Sequence, residues 1–114
     1  MIYELRYYEC VPGKLPLVLK RFEDHALPIW NELGIRSLGF WTTAIGENDQ
    51  SLHYMLAWED LAEREAKWPA FATDPRWQLA RKLSEPAGPL VAKVTNSILK
   101  PALYGTTTAF LAAD

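Results

Sequence analysis

The chain has 114 residues, with 12 Lys and Arg against 14 Asp and Glu and a formal net charge of −2. That length fits one domain, and the acidic balance supplies no basic stripe for nucleic acid. A single Cys excludes an intrachain disulfide and a Cys-rich zinc cluster, and no apolar run approaches the roughly 20 residues that span a bilayer.

Residues 2–10 combine Ile2, Tyr3, Leu5, Tyr7 and Tyr8 in a short run that predicts a strand, closed by Pro12-Gly13. Residues 14–33 change period: Leu15, Val18, Leu19, Phe22, Ala26, Trp30 and Leu33 recur every three or four positions, as in an amphipathic helix. Pro16 suits its first turn, Pro28 predicts a kink or a shortened last turn, and Gly34 suits its C-terminal stop. Residues 35–45 predict a second strand, 46–50 a polar loop of hairpin size, and 52–58 a third strand. Asp60 with Glu63 opens a helix that Pro69 should end near Trp68, and Asp74-Pro75 opens another with Trp77, Ala80 and Leu83 on its apolar stripe. Residues 90–99 predict the last strand, and the tail 102–114 carries one charge and no period.

Strand, helix, strand, strand, helices, strand is the ferredoxin-like βαββαβ order of an α+β domain, with a four-stranded antiparallel sheet and the helices on one face. The sheet does not alternate cleanly between apolar and polar. Leu52, Tyr54, Leu56 and Trp58 share one face of the third strand, yet the other carries His53, Met55 and Ala57; the second strand offers Phe40 to one side and Trp41 to the other. Five Trp, five Tyr and four Phe add to this surplus. A second apolar face left in water would be a large exposed patch, so the expectation is a homodimer that stacks two sheets as a dimeric α+β barrel. The competing expectation is a monomer whose tail folds over the face.

Within that second face the sequence places polar groups. Tyr3, Leu5 and Tyr7 are expected to meet the helices, which puts Glu4, Arg6 and Tyr8 on the other side together with His53 of the neighbouring strand. A buried carboxylate and guanidinium must pair, and a His beside them would be tuned by the pair. Arg6, His53 and Glu4 are therefore the catalytic candidates, Arg6 to bind an anionic or enolate oxygen and His53 or Glu4 to move a proton. Tyr8, Phe40, Thr42, Met55 and His25 are the candidate pocket residues. Trp68 and Trp77 fit helix packing stripes, and Cys10 reads as an inert thiol. There is no G-x-G-x-x-G, no P-loop Lys after Gly34 and Gly39, no H-E-x-x-H and no G-x-S-x-G. Neither metal nor cofactor is expected, with haem ligation by His25 or His53 the weakest of three alternatives. A non-catalytic dimeric interaction module is the main competitor to a small-molecule protein. Glu4 and Arg6 stand where a secretory leader would be apolar, so the expected location is cytoplasmic.

Several segments then form a familiar series: Met1-Ile2-Tyr3-Glu4-Leu5-Arg6-Tyr7-Tyr8 with Pro12-Gly13-Lys14; Arg21-Phe22-Glu23-Asp24-His25-Ala26-Leu27-Pro28; Gly39-Phe40-Trp41-Thr42-Thr43-Ala44-Ile45-Gly46; Ala57-Trp58-Glu59-Asp60-Leu61 with Asp74-Pro75-Arg76-Trp77; and Ser97-Ile98-Leu99-Lys100-Pro101. In this order they resemble a NIPSNAP-type domain over residues 1–101, leaving 102–114 as a C-terminal tail that packs on the dimer. The resemblance implies a dimeric α+β barrel and no settled enzymatic activity. More distant proteins of that architecture include cofactor-free monooxygenases and isomerases, an analogy at the level of fold alone.

Overall fold

A computed structural model describes residues 1–102. Four strands, β1 (Ile2–Cys10), β2 (Arg36–Thr42), β3 (Ser51–Trp58) and β4 (Val91–Leu99), form one antiparallel sheet in the order β2-β3-β1-β4. The helices cover one face, completing the ferredoxin-like α+β fold. The tail 103–114 lies outside the described residues, and with it the expectation that the tail covers a sheet or clasps a partner. No described helix is long and apolar enough to cross a membrane.

The first helical region keeps its predicted span, and the distortion expected at Pro28 takes the form of a widened turn rather than a shortened end. α1 (Leu15–Arg21) passes through a π-helical segment, Phe22–Ala26, directly into α2 (Leu27–Leu33). The Leu27 amide donates to the Phe22 carbonyl, five residues back. Pro28 has no amide to give and its ring crowds the carbonyl four residues earlier. The widened turn relieves that conflict without ending the helix. It also turns Phe22, Ala26, Ile29 and Trp30 toward the same core, where all four are buried. Gly34 closes α2 at φ 74°, a left-handed position that costs a side-chain-bearing residue free energy. A Cβ there would also stand 3.0 Å from Lys67 Nζ. Gly34→Ala is expected to cost about 1 kcal/mol and to lower Tm by about 5 °C, read by thermal unfolding.

α3 (Leu61–Ala72) also outruns its prediction, continuing through Pro69. One backbone bond is lost, but the extra turn carries Phe71 into the core at 3% exposure, and that burial outweighs the bond. Asp60 caps its start by accepting from the Glu63 amide at 2.9 Å. Asp74 caps α4 (Pro75–Ser84) by accepting from the Arg76 amide at 2.8 Å. Trp77 and Ala80 of α4 are buried as expected, whereas Leu83, expected on the same stripe, is 70% exposed.

Register decides which residues share a face. Tyr54 pairs with Arg6, Leu56 with Glu4 and Leu52 with Tyr8, while His53 pairs with Tyr7 and Met55 with Leu5. Leu52, Tyr54, Leu56 and Trp58 are fully buried under the helices, so Glu4, Arg6 and Tyr8 lie on the helix side as well. This reverses the expectation for β1. Its outwardly more apolar side, Tyr3, Leu5 and Tyr7, faces away from the helices, because antiparallel pairing binds each residue to the face of its partner. A register shift beside Cys10 brings Val91 onto the core side too.

Candidate functional site

Glu4 is the electrostatic centre of the helix side. Its side chain is wholly buried and accepts from Arg6 Nη1 at 2.9 Å, Arg64 Nε at 2.8 Å, Arg64 Nη2 at 3.1 Å, Asn96 Nδ2 at 2.9 Å and Trp58 Nε1 at 3.1 Å. Burial alone would raise its pKa, but the donors from Arg64, Asn96, Arg6 and Trp58 outweigh that and hold the carboxyl at about 2. With its lone pairs so occupied, Glu4 is suited to orient Arg6 and poorly suited to take a proton from a substrate.

Arg6 is clamped on every side. Its Nε donates to Tyr54 Oη at 2.8 Å, Tyr54 Oη lies 2.9 Å from Tyr8 Oη, and the guanidinium sits 4.4 Å from the centre of the Trp68 ring. Burial works against its charge, but the Tyr54 and Tyr8 oxygens and Glu4 raise its pKa above the ordinary value. Burial pushes the Tyr54 phenol well above its usual range.

Beyond this cluster, between β1, β4 and the helices, lies a cavity of about 230 Å³ walled chiefly by Arg6, Tyr8, Arg21, Trp68, Trp77 and Arg81. Arg21 comes from the last turn of α1 and is only 5% exposed. Its Nη1 donates to Ser84 Oγ at 3.1 Å and stands 3.7 Å from Glu85 Oε1, while its guanidinium lies 5.5 Å from the Trp77 ring centre. Its Nε has no hydrogen-bond partner among the described residues. Burial, opposed by Glu85 and reinforced by nearby Arg81, lowers the Arg21 pKa.

The candidates separate across the sheet. Glu4, Arg6 and Tyr8 come together and Tyr8 lines the cavity. His53 points to the opposite face, with its ring 4.8 Å from that of Tyr7 and its Nε2 3.1 Å from Thr43 Oγ1. The expected group of Arg6, Glu4, Tyr8 and His53 in one space is thus corrected: neighbouring strands carry Arg6 opposite Tyr54 and His53 opposite Tyr7, so the two point to opposite sides. Met55 shares the His53 face. Thr42 is exposed and borders a broad depression that Trp41 and His53 also line. Phe40 is packed in the aromatic core, 5.1 Å from Tyr54. His25 is exposed on the outer side of the π-helical segment, away from both sites. Among the described residues no group of three or more His, Cys, Asp or Glu is placed to hold a metal.

Arg21, Arg64, Arg81, Trp68 and Trp77 are the site residues that sequence reasoning missed. Arg21 left a signal, since it sits three residues after Val18 on an otherwise apolar stripe and a charge there must meet a partner or a ligand. Arg64 and Arg81 left none, because Arg is ordinary on a helix surface.

The sheet order and helix placement define an α+β ferredoxin-like protein, a fold it shares with antibiotic biosynthesis monooxygenase structures. The family model for NIPSNAP matches residues 3–105, and the chain belongs to the NIPSNAP family. It resembles an uncharacterized NIPSNAP domain protein from Burkholderia xenovorans, with 30% identity and a TM-score of 0.77 over 92% of this chain and 98% of that one. A NIPSNAP family protein from Agrobacterium tumefaciens strain C58 matches at 24% identity and a TM-score of 0.79, covering 93% and 97% of the two chains. An antibiotic biosynthesis monooxygenase matches in fold alone, at 11% identity and a TM-score of 0.59, covering 90% and 99%. No curated protein matches significantly.

Proposed function

We propose that this protein is a homodimer in which each subunit holds a small molecule between its sheet and its helices. The cavity carries the reading: a packed core gains nothing by lining empty space with Arg6 and Arg21, which are 8% and 5% exposed, since desolvated charge is costly unless it is used. Among the described residues the cavity wall holds no His and no carboxylate. A cofactor-free oxygenase or isomerase working there takes a substrate acidic enough to arrive as an anion or enolate, and Arg6 stabilises the developing charge. A thermal-shift screen of small aromatic compounds, charged and neutral, tests the cavity, because a ligand that binds only the folded chain raises Tm. Absence of any shift in the wild type sinks the proposal, and a shift that survives Ala72→Trp at the cavity wall sinks its location.

The dimer draws on the uncovered surfaces. On the face away from the helices, Trp41 is 50% exposed and Leu99, which pairs with Tyr3, is 39% exposed. Stacking a second sheet on that face removes the patch. Light scattering is expected to give the mass of two chains, and Trp41→Glu is expected to shift the protein toward monomer. A wild-type monomer at micromolar concentration overturns the dimer. In the competing reading, a non-catalytic interaction module, the Glu4–Arg6 pair fixes dimer register. That role sits poorly with a pair buried beneath its own subunit's helices, so the ligand reading is preferred.

A further inference from the structure

The class of ligand can be read from what the cavity wall lacks. Arg6, Arg21 and Arg81 contribute three guanidiniums to it, and among the described residues no Asp or Glu lines it. Two of the three already have acidic partners: Glu4 anchors Arg6 at 2.9 Å, and Glu85 lies 3.7 Å from Arg21 while also accepting from the Leu90 amide. Arg81 has no carboxylate partner among the described residues' ion pairs. The buried Arg21 still keeps an Nε with no partner among the described residues, and a buried donor of a charged group left unpaired is among the more expensive defects a core can carry. A cation is repelled by this wall and a neutral apolar molecule leaves the defect in place, whereas an oxyanion removes it.

The rest of the wall is aromatic. Tyr8, Trp68, Phe71 and Trp77 surround the same space, and Phe71 lies 4.8 Å from Trp77 and 5.2 Å from Trp68 between ring centres. Flat apolar surface of this kind favours a ring. The volume, about 230 Å³, falls below the range of about 300–1,000 Å³ typical of sites for drug-sized ligands, which limits the occupant to a single ring with a short acidic group. We infer that the cavity takes a monocyclic organic anion, its acidic group held by Arg21 with Arg81 and its ring against Trp68 and Trp77. The inference rests on the proposed use of the cavity as a ligand site and adds the chemical class of the ligand.

Indole N–H signals in a two-dimensional NMR spectrum of the full chain give a test that also locates the ligand. Benzoate at millimolar concentration is expected to shift the Trp68 and Trp77 signals saturably and to leave Trp41, on the far side of the sheet, unmoved. Benzamide, of nearly the same shape without the charge, is expected to bind about tenfold more weakly. Arg21→Met is expected to weaken benzoate about tenfold and to leave benzamide unchanged. Arg81→Gln, at an exposed position, is expected to weaken benzoate about threefold and carries the test if Arg21→Met does not fold. Equal affinity for benzoate and benzamide, or benzoate binding untouched by the Arg variants, overturns the anionic assignment and leaves a ligand cavity standing. Inorganic phosphate binding as tightly as benzoate overturns the aromatic half. Binding of none of the three probes overturns both the inference and the reading beneath it.

Discussion

Glu4→Gln is expected to destabilise the protein by about 3–5 kcal/mol, the usual cost of removing one partner from a buried ion pair. Gln preserves the shape and some hydrogen bonds, but it leaves the Arg6 and Arg64 guanidiniums around a neutral group. The same carboxylate predicts an acid transition. Its pKa falls from an ordinary 4.5 to about 2 in the folded chain, so the unfolded state takes up the proton first as pH falls. The stabilisation is therefore complete above about pH 4.5 and is lost progressively as the pH approaches 2. The shift corresponds to about 3 kcal/mol. Lys67 and Arg76 also hold Glu63 and Asp74 below their ordinary values, so the informative measurement is the difference between wild type and Glu4→Gln in urea unfolding at several pH values. That difference should be largest near neutrality and shrink below about pH 4. A difference that stays constant across this range, or one under about 1 kcal/mol at neutrality, means that Glu4 is not the anchor described here.

Trp30→Ala is expected to cost about 3–5 kcal/mol, a large share of the roughly 5–15 kcal/mol that holds a domain together. Trp30 is 1% exposed and lies with its ring 5.5–6.0 Å from the rings of Phe22, Phe40, Tyr54, Trp68 and Phe71. Removing it opens a void where the helices meet the sheet, beside the residues that shape the cavity. Trp30→Phe behaves differently. It loses area, but it also removes an indole N–H that has no partner among the described residues, and deleting an unsatisfied donor recovers part of the loss. Its expected cost is about 1 kcal/mol. Urea denaturation of the two variants side by side decides the matter; equal losses would mean that packing alone accounts for Trp30.

Much of the fold was legible because it follows from local pattern. The helix over 14–33, the caps at Asp60 and Asp74 and the stop at Gly34 each rest on a few neighbouring residues whose chemistry acts locally. The two prolines act less severely than the sequence suggests. Pro28 and Pro69 each break a backbone bond, which from sequence reads as a kink or a shortened last turn at the first and as the end of the helix at the second. In the fold, Trp30 and Phe71 beyond them gain burial only if the helix continues, and the backbone adapts by widening one turn or giving up one bond. The candidate site was half legible. A carboxylate and a guanidinium two apart on a strand announced a buried pair, and Glu4 and Arg6 form one. Their side of the sheet was misread because the apolar count of β1 was weighed alone, whereas the four large apolar residues of β3 decide the buried face for every strand paired with it.

Length and residue pattern determined the class of fold and the order of its elements, because each depends on local periodicity. Tertiary structure alone decided that Arg6 and His53 part company, that Arg21 from the first helix and Arg81 from the last meet across one cavity, and that Trp68 and Trp77 wall it. Those facts depend on strand register and helix docking, which bring residues as far apart in the chain as Arg6 and Val94 to one cavity, and no local signal encodes such a meeting.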